Sequence, residues 1–219
     1  MSLNVELARH NMIEQQVRPW DVLDSRVLEA LSAVRREDFV PAGCRNLAFA
    51  DIELPLGQNE TMMKPVVEGR ILQAAAPEKG ERVLQIGTGS GFLTACLARL
   101  AAEVVSVEQH AEFVEAARVH LAGAAVRNAS VECAEAVLGF TPSGRFDVMV
   151  VTGAVAILPP RWREWIKPGG RLVCVVGETP GQRALLCTRD ANGGWTDQAM
   201  FETELPYLRN ATPVATFAL

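Results

Sequence analysis

The chain has 219 residues, 49% of them hydrophobic, and a formal net charge of −5. That is length and apolar content enough for one large packed domain, or a domain with an extension. The acidic balance argues against a broad nucleic-acid footprint, and no run of about 18 apolar residues offers a membrane span.

The first elements are helical. The segment VELARHNMIEQQV places Leu7, Met12, Ile13 and Val17 near helical spacing, and Arg18-Pro19 is expected to stop it. This start is polar and mixed in charge, without the apolar stretch of a secretory signal. In DSRVLEALSAV, Asp24 or Ser25 is placed to cap, and Val27, Leu28, Leu31 and Val34 form one face. The stretch from Phe39 to Pro65 reads mostly as loop with short helical or extended pieces. Pro65 then suits the first turn of a helix, PVVEGRILQAA.

From residue 77 the pattern changes. RVLQIG, EVVSVE, ASVECA, FDVMVVTGA and GGRLVCVVG read as strands. FLTACLARLA, AEFVEAARVHLAGA and PPRWREWI read as the helices between them. Alternation of this kind implies right-handed crossovers and a doubly wound, mostly parallel α/β sheet. ALLCTRDANGGWTDQAMF reads as an antiparallel C-terminal hairpin about Asn-Gly-Gly. The expected division is an N-terminal helical extension over 1–76, contributing to the acceptor site, and a core over 77–219.

The five cysteines, Cys44, Cys96, Cys133, Cys174 and Cys187, are widely spaced and include no CxxC. They are expected to be buried, reduced thiols of a cytoplasmic protein. His10, His110 and His120 are not spaced to join them in a metal site, and each reads as a surface residue.

The chemistry concentrates at VLQIGTGSGF, Val83 to Phe92. Phe92 stands where a dinucleotide fingerprint needs its third glycine, and the Lys-Ser/Thr of a P-loop is absent. Neither phosphate reading fits. Glu108 ends the next strand about 20 residues on, where a carboxylate accepts hydrogen bonds from ribose hydroxyls. Glu135, after the third strand, is placed to accept one from an adenine amine. The glycine loop, Glu108, Glu135 and the turn WIKPGGRLV, in this order, resemble the class I S-adenosylmethionine methyltransferases. That cofactor carries no phosphate. Its methionine carboxylate suits bare amides beside a helix N-terminus. Relatives usually have a carboxylate where this chain has Gln85, which cannot offset a positive charge.

RVLEALSAVRREDFVP, LAFADIELPLG, VLQIGTGSGFLTACLARL, VVSVE, FDVMVVTGA and KPGGRLVCVVGE together resemble the protein-L-isoaspartate O-methyltransferase family, over roughly Met12 to Leu208. The resemblance implies S-adenosyl-L-methionine as donor and isoaspartyl peptides or proteins as acceptors; residue spacing, charge and hydropathy leave no metal, nucleic acid or membrane expected. It places the cofactor at Gly87, Thr88, Gly89, Gly91, Glu108, Gln109, Glu135, Ala136 and Thr152. Thr152 either lies near methyl transfer or caps its strand. The family's Thr-Ile-Ser-x-Pro appears here as Thr61-Met62-Met63-Lys64-Pro65, with Met63 in place of the serine. Methionine donates no hydrogen bond. Thr61, with a hydroxyl, and Lys64, with a charge, are the candidates to replace it. Gly-Asp-Gly appears as Ala134-Glu135-Ala136. Two alternatives stand beside the main reading: the same scaffold with a different, small-molecule acceptor, and a cofactor-binding protein without transfer.

Overall fold

The structure, a computed structural model, describes residues 4–213; the outer ends of the two expected divisions, 1–3 and 214–219, lie outside the described residues. Helix α1 spans Val5–Met12, capped by the Asn4 side chain. The expected stop at Pro19 is not where the coil ends. The chain continues through a π-helical turn, Ile13–Val17, and a 3₁₀ turn, Arg18–Trp20, and breaks at Asp21, whose φ is 63°. Pro19 sits in the first turn of a new helical segment, where its missing N–H costs nothing. Leu7, expected on the inner face, is 53% exposed, while Arg9 is buried. Helix α2, Ser25–Ala33, starts at Asp24, which accepts from the Arg26 N–H. Two 3₁₀ turns, Arg36–Asp38 and Ala42–Leu47, lead to a small antiparallel hairpin, β1 (Leu54–Gly57) and β2 (Glu60–Met62). Helix α3, Pro65–Ala75, closes the extension.

The rest is one seven-stranded sheet. In chain order come β3 (Arg82–Ile86), α4 (Phe92–Leu100), β4 (Glu103–Glu108), α5 (Ala111–Gly123) and β5 (Ala129–Cys133). Then follow β6 (Phe146–Val155), α6 (Pro160–Glu164), β7 (Ile166–Val176), β8 (Arg183–Arg189) and β9 (Trp195–Glu202). The spatial order is β5-β4-β3-β6-β7-β8-β9. The first five strands are parallel; β8 is antiparallel to both β7 and β9. The β8–β9 turn is closed by Asp190, whose Oδ1 accepts from the N–H groups of Asn192 and Gly194 at 2.8 and 2.9 Å. This is the mostly parallel doubly wound sheet with an antiparallel end that the alternation implied.

Strand side chains alternate between two cores, as the period of two demands. Val83, Val148, Val150, Val173 and Val175 face one core with α1 through α5. Leu84, Ile86, Met149, Val151, Leu172 and Cys174 face the other, which is closed by Phe140, Trp162 and Trp165. The chain winds from β3 outward to β5, then crosses back to β6 on the far side of β3. The reversal opens a crevice beyond the carboxyl ends of β3 and β6, where open α/β sheets place their ligands. α3 packs against β6 and β7 on the first face, so the extension is part of the helical layer beside that crevice. Cys96, Cys174 and Cys187 are buried as expected, but Cys133 is exposed on edge strand β5.

Candidate functional site

A cleft of about 840 Å³, mouth included, opens at this reversal. The glycine loop forms its floor. Gly87 has φ 87°, and a Cβ there would lie 2.3 Å from Thr152 Oγ1. Only glycine fits that position. Thr152 donates to the carbonyls of Ile86 and Gly87 at 2.9 and 2.7 Å, and Gln85 Nε2 donates to the same Gly87 carbonyl at 2.8 Å. Gln85 Oε1 in turn accepts from the Thr94 hydroxyl at 2.8 Å. The amide thus does what a carboxylate there cannot: it donates to the loop while accepting from α4. Gly91, at φ 86°, serves packing, since a Cβ there would meet Ala117 of α5 at 3.3 Å.

Glu108 is 6% exposed and bridges two backbones. It accepts from Gly89 N–H at 2.9 Å and from His110 N–H at 3.0 Å, one bond to each oxygen. Each oxygen keeps a lone-pair direction for a ribose hydroxyl. Glu135 likewise binds its own turn, accepting from Val137 and Leu138 N–H at 2.7 and 2.8 Å. The loop is less bare than its glycines suggest. The N–H groups of Gly87, Gly89, Gly91 and Phe92 already have protein acceptors. Among the described residues, the N–H groups of Thr88 and Ser90 are the ones left for a ligand in this loop. The donor set fits S-adenosylmethionine: free amides beside α4, an acid at the sugar position, and a steric limit at Gly87.

The hairpin β1–β2 roofs this end. Leu56 reaches over Gly89, and Glu60 approaches Gln109 and His110 at 3.3 and 3.4 Å. Gln58 donates to Glu112 at the start of α5. At the other end Met62, Met63, Leu93, Pro206 and Leu208 give apolar walls. Leu208 arrives through the segment after β9, its N–H donating to Ala154 at 2.9 Å, and rests against Gly153.

Met63 is held in place by Arg36, which is fully buried. The guanidinium donates to the Met63 carbonyl at 2.7 Å, to the Ala48 carbonyl at 2.8 Å and to the Glu68 carboxylate. It also lies 4.8 Å from the centre of the Phe92 ring. Glu68 is 2% exposed and lines the cleft. Burial pushes its carboxyl up to about 7, against the pull of Arg36.

The fold therefore brings Thr61, Met63, Gly87, Thr88, Gly89, Glu108, Gln109, Glu135, Ala136 and Thr152 to one cleft. Lys64 is exposed at the N-cap of α3 and does not line it. Arg209 is the one cationic side chain that does, among the described residues. Sequence reasoning missed Arg209, Arg36 and Glu68. Glu68 left a signal: it shares a helical stripe with Ile71, Leu72 and Ala75, all buried, and is the one charge in it.

The family model for protein-L-isoaspartate(D-aspartate) O-methyltransferases matches residues 8–205. The chain belongs to this family. It is 37% identical over 187 residues to the protein-L-isoaspartate O-methyltransferase of Koribacter versatilis, covering 85% of this chain and 84% of that one. It is 36% identical over 193 residues to protein-L-isoaspartate O-methyltransferase 2 of Marinobacter nauticus, covering 88% of each. Its fold matches a crystal structure of a beta-aspartate methyltransferase from Plasmodium falciparum in complex with S-adenosyl-L-homocysteine. That match has a TM-score of 0.80 at 16% identity and covers 95% of this chain and 99% of the other. The family match spans the extension as well as the glycine loop, the two parts that meet at the cleft. No helix among the described residues is long and apolar enough to cross a membrane.

Proposed function

We propose that the protein transfers the methyl group of S-adenosylmethionine to the carboxylate of isoaspartyl residues in peptides or proteins, the first step of their repair. The observation that carries this reading is the family match over 8–205, which includes both the cofactor loop and the segment holding Met63. In this reading the extension contributes Thr61, Met62 and Met63 to the acceptor end, and the glycine-loop core supplies most of the cofactor end. Glu108 and Gln109 hold the sugar, Glu135 and Ala136 frame the adenine, and the loop with Thr152 orients the methionine portion.

Bound in the cleft, the cofactor supplies an activated methyl. The acceptor carboxylate, with an ordinary pKa near 4, is ionised at neutral pH and needs no general base. Among the described residues, no histidine lines the cleft. What the chain supplies is orientation and exclusion of water. Met62, Met63, Leu93 and Leu208 wall the acceptor end with apolar surface. The polar contacts of that end come from Thr61, whose hydroxyl is 3.4 Å from Glu53 in the present arrangement, and from Arg209 at the mouth. Arg209 takes the charge-neutralising role that sequence spacing assigned to Lys64.

The test is incubation with methyl-labelled cofactor and an isoaspartyl peptide beside its aspartyl twin. Base-labile label on the isoaspartyl peptide alone is the expected result. Label on neither peptide, with cofactor bound, would sink the reading. Met63→Ser sharpens it: activity on the isoaspartyl peptide that appears only in the variant would assign the wild-type enzyme another acceptor.

A further inference from the structure

Four carboxylates line the cleft: Glu60, Glu68, Glu108 and Glu135. Glu108 and Glu135 each use both oxygens on backbone N–H groups. Glu60 lies at the roof, beside Gln109 and His110. Glu68 differs from all three. It is almost wholly buried, and Arg36 is its only hydrogen-bond donor among the described residues, reaching one oxygen. The other oxygen has no hydrogen-bond partner among the described residues, and the residue lines the cleft.

Its place along the cleft is set by its neighbours. Arg36 stacks on Phe92, the first residue of α4, and α3, which carries Glu68, packs against α4. Glu68, bonded to that guanidinium, therefore sits beside the start of α4, the end of the cleft that the proposed reading gives to the amino-acid portion of the ligand. The same end contains Gln85, which is neutral and has both amide atoms committed to Gly87 and Thr94. An ammonium arriving there meets no other free carboxylate among the described residues.

We infer that Glu68, projecting from α3 of the extension, is the carboxylate that receives the cofactor's α-ammonium group. This rests on the proposed cofactor and adds a role that the glycine-loop core does not supply. Arg36 is the titratable group bonded to Glu68 among the described residues. Arg36 keeps the carboxylate in place, and a second cation on the free oxygen completes its partners. The inference also accounts for an isolated charge in an otherwise apolar helical stripe.

Isothermal titration calorimetry of the full chain, at about pH 7.5 where the amine is largely protonated, tests it with two ligands. One is S-adenosylhomocysteine. The other is the analogue with hydrogen in place of the α-amino group. The wild-type protein is expected to prefer the amine-bearing ligand by roughly ten- to a hundredfold. Glu68→Gln and Glu68→Asp are each expected to cut that preference to about twofold, by weakening only the amine-bearing ligand. Glu68→Asp keeps a counter-charge for Arg36, so it carries the test if Glu68→Gln does not fold. An unchanged preference in a folded variant, or equal loss for both ligands, overturns the inference. No saturable binding of S-adenosylhomocysteine to wild type overturns the cofactor reading itself, a result distinct from either.

Discussion

At one end of the cleft, Glu108 is held by backbone N–H groups of its own loop and the loop beside it, at 2.9 and 3.0 Å. At the β2–α3 end, Met63 is held by Arg36, 27 residues earlier in the chain, through a buried guanidinium that touches three segments. The first end is built from strand-to-helix turns that any parallel sheet supplies. The second depends on one charge network linking the extension to itself and to α4. Loss of a side chain at the Glu108 end should therefore show mainly as a loss of affinity, whereas loss of Arg36 at the Met63 end should show mainly as a loss of stability.

The sharpest way to break that contrast is Arg36→Met. It strands the Glu68 carboxylate and two carbonyls in the interior, and is expected to cost about 3–5 kcal/mol in denaturant unfolding. A loss below about 1 kcal/mol would mean that the network is not what holds the extension. Gly87→Ala comes next, at roughly 2–4 kcal/mol, because the added methyl combines a left-handed backbone with a contact on Thr152. Thr152→Ala in the same chain should recover part of that loss. If it recovers none, the strain is in the backbone alone.

Glu108→Gln leaves one of the Gly89 and His110 N–H groups without its acceptor; it should cost less stability than Arg36→Met and weaken S-adenosylhomocysteine binding by about 1–3 kcal/mol. An unchanged dissociation constant would move the ribose elsewhere. Glu68 makes stability depend on pH with a definite sign. Its carboxyl is raised from 4.5 to about 7, so the folded protein holds a proton that the unfolded chain releases. Its contribution is whole below about 4.5 and is lost as pH rises through about 7. The advantage of wild type over Glu68→Gln should shrink by about 1 kcal/mol per pH unit across that window. A gap that stays level would show Glu68 ionised throughout. The smallest effect expected is at the mouth: Arg209→Gln should raise the KM for an isoaspartyl peptide about three- to tenfold with kcat little changed.

The same contrast explains what could be read from the sequence. The parallel sheet, the glycine loop, Glu108 and Glu135 follow from short-range pattern, because a strand end, a turn and a helix start are contiguous. The β1–β2 hairpin left no such mark. Its turn is Gln58-Asn59, both at positive φ, 53° and 60°, without the glycine that usually announces that geometry. Lys64 and Arg209 show the limit most plainly. Lys64 is adjacent to Met63 in sequence, but the N-cap of α3 turns it outward. Arg209 comes from beyond the last strand and reaches the cleft because residues 206–208 pair with Ala154. Proximity along the chain predicted the wrong cation to line the cleft; only the closing of the C-terminal segment selects the other.

The position of α3 has one more consequence. No helix connects β5 to β6, and α3 occupies the first face over β6 and β7, with Ile71 and Leu72 in the same core as Val148, Val150, Val173 and Val175. The extension is thus the roof of its own neighbour's sheet rather than an appendage. A fragment starting at residue 77 would bare those valines to water and associate with itself. Residues before and after 77 therefore share one core, and unfolding of either is expected to take the other with it.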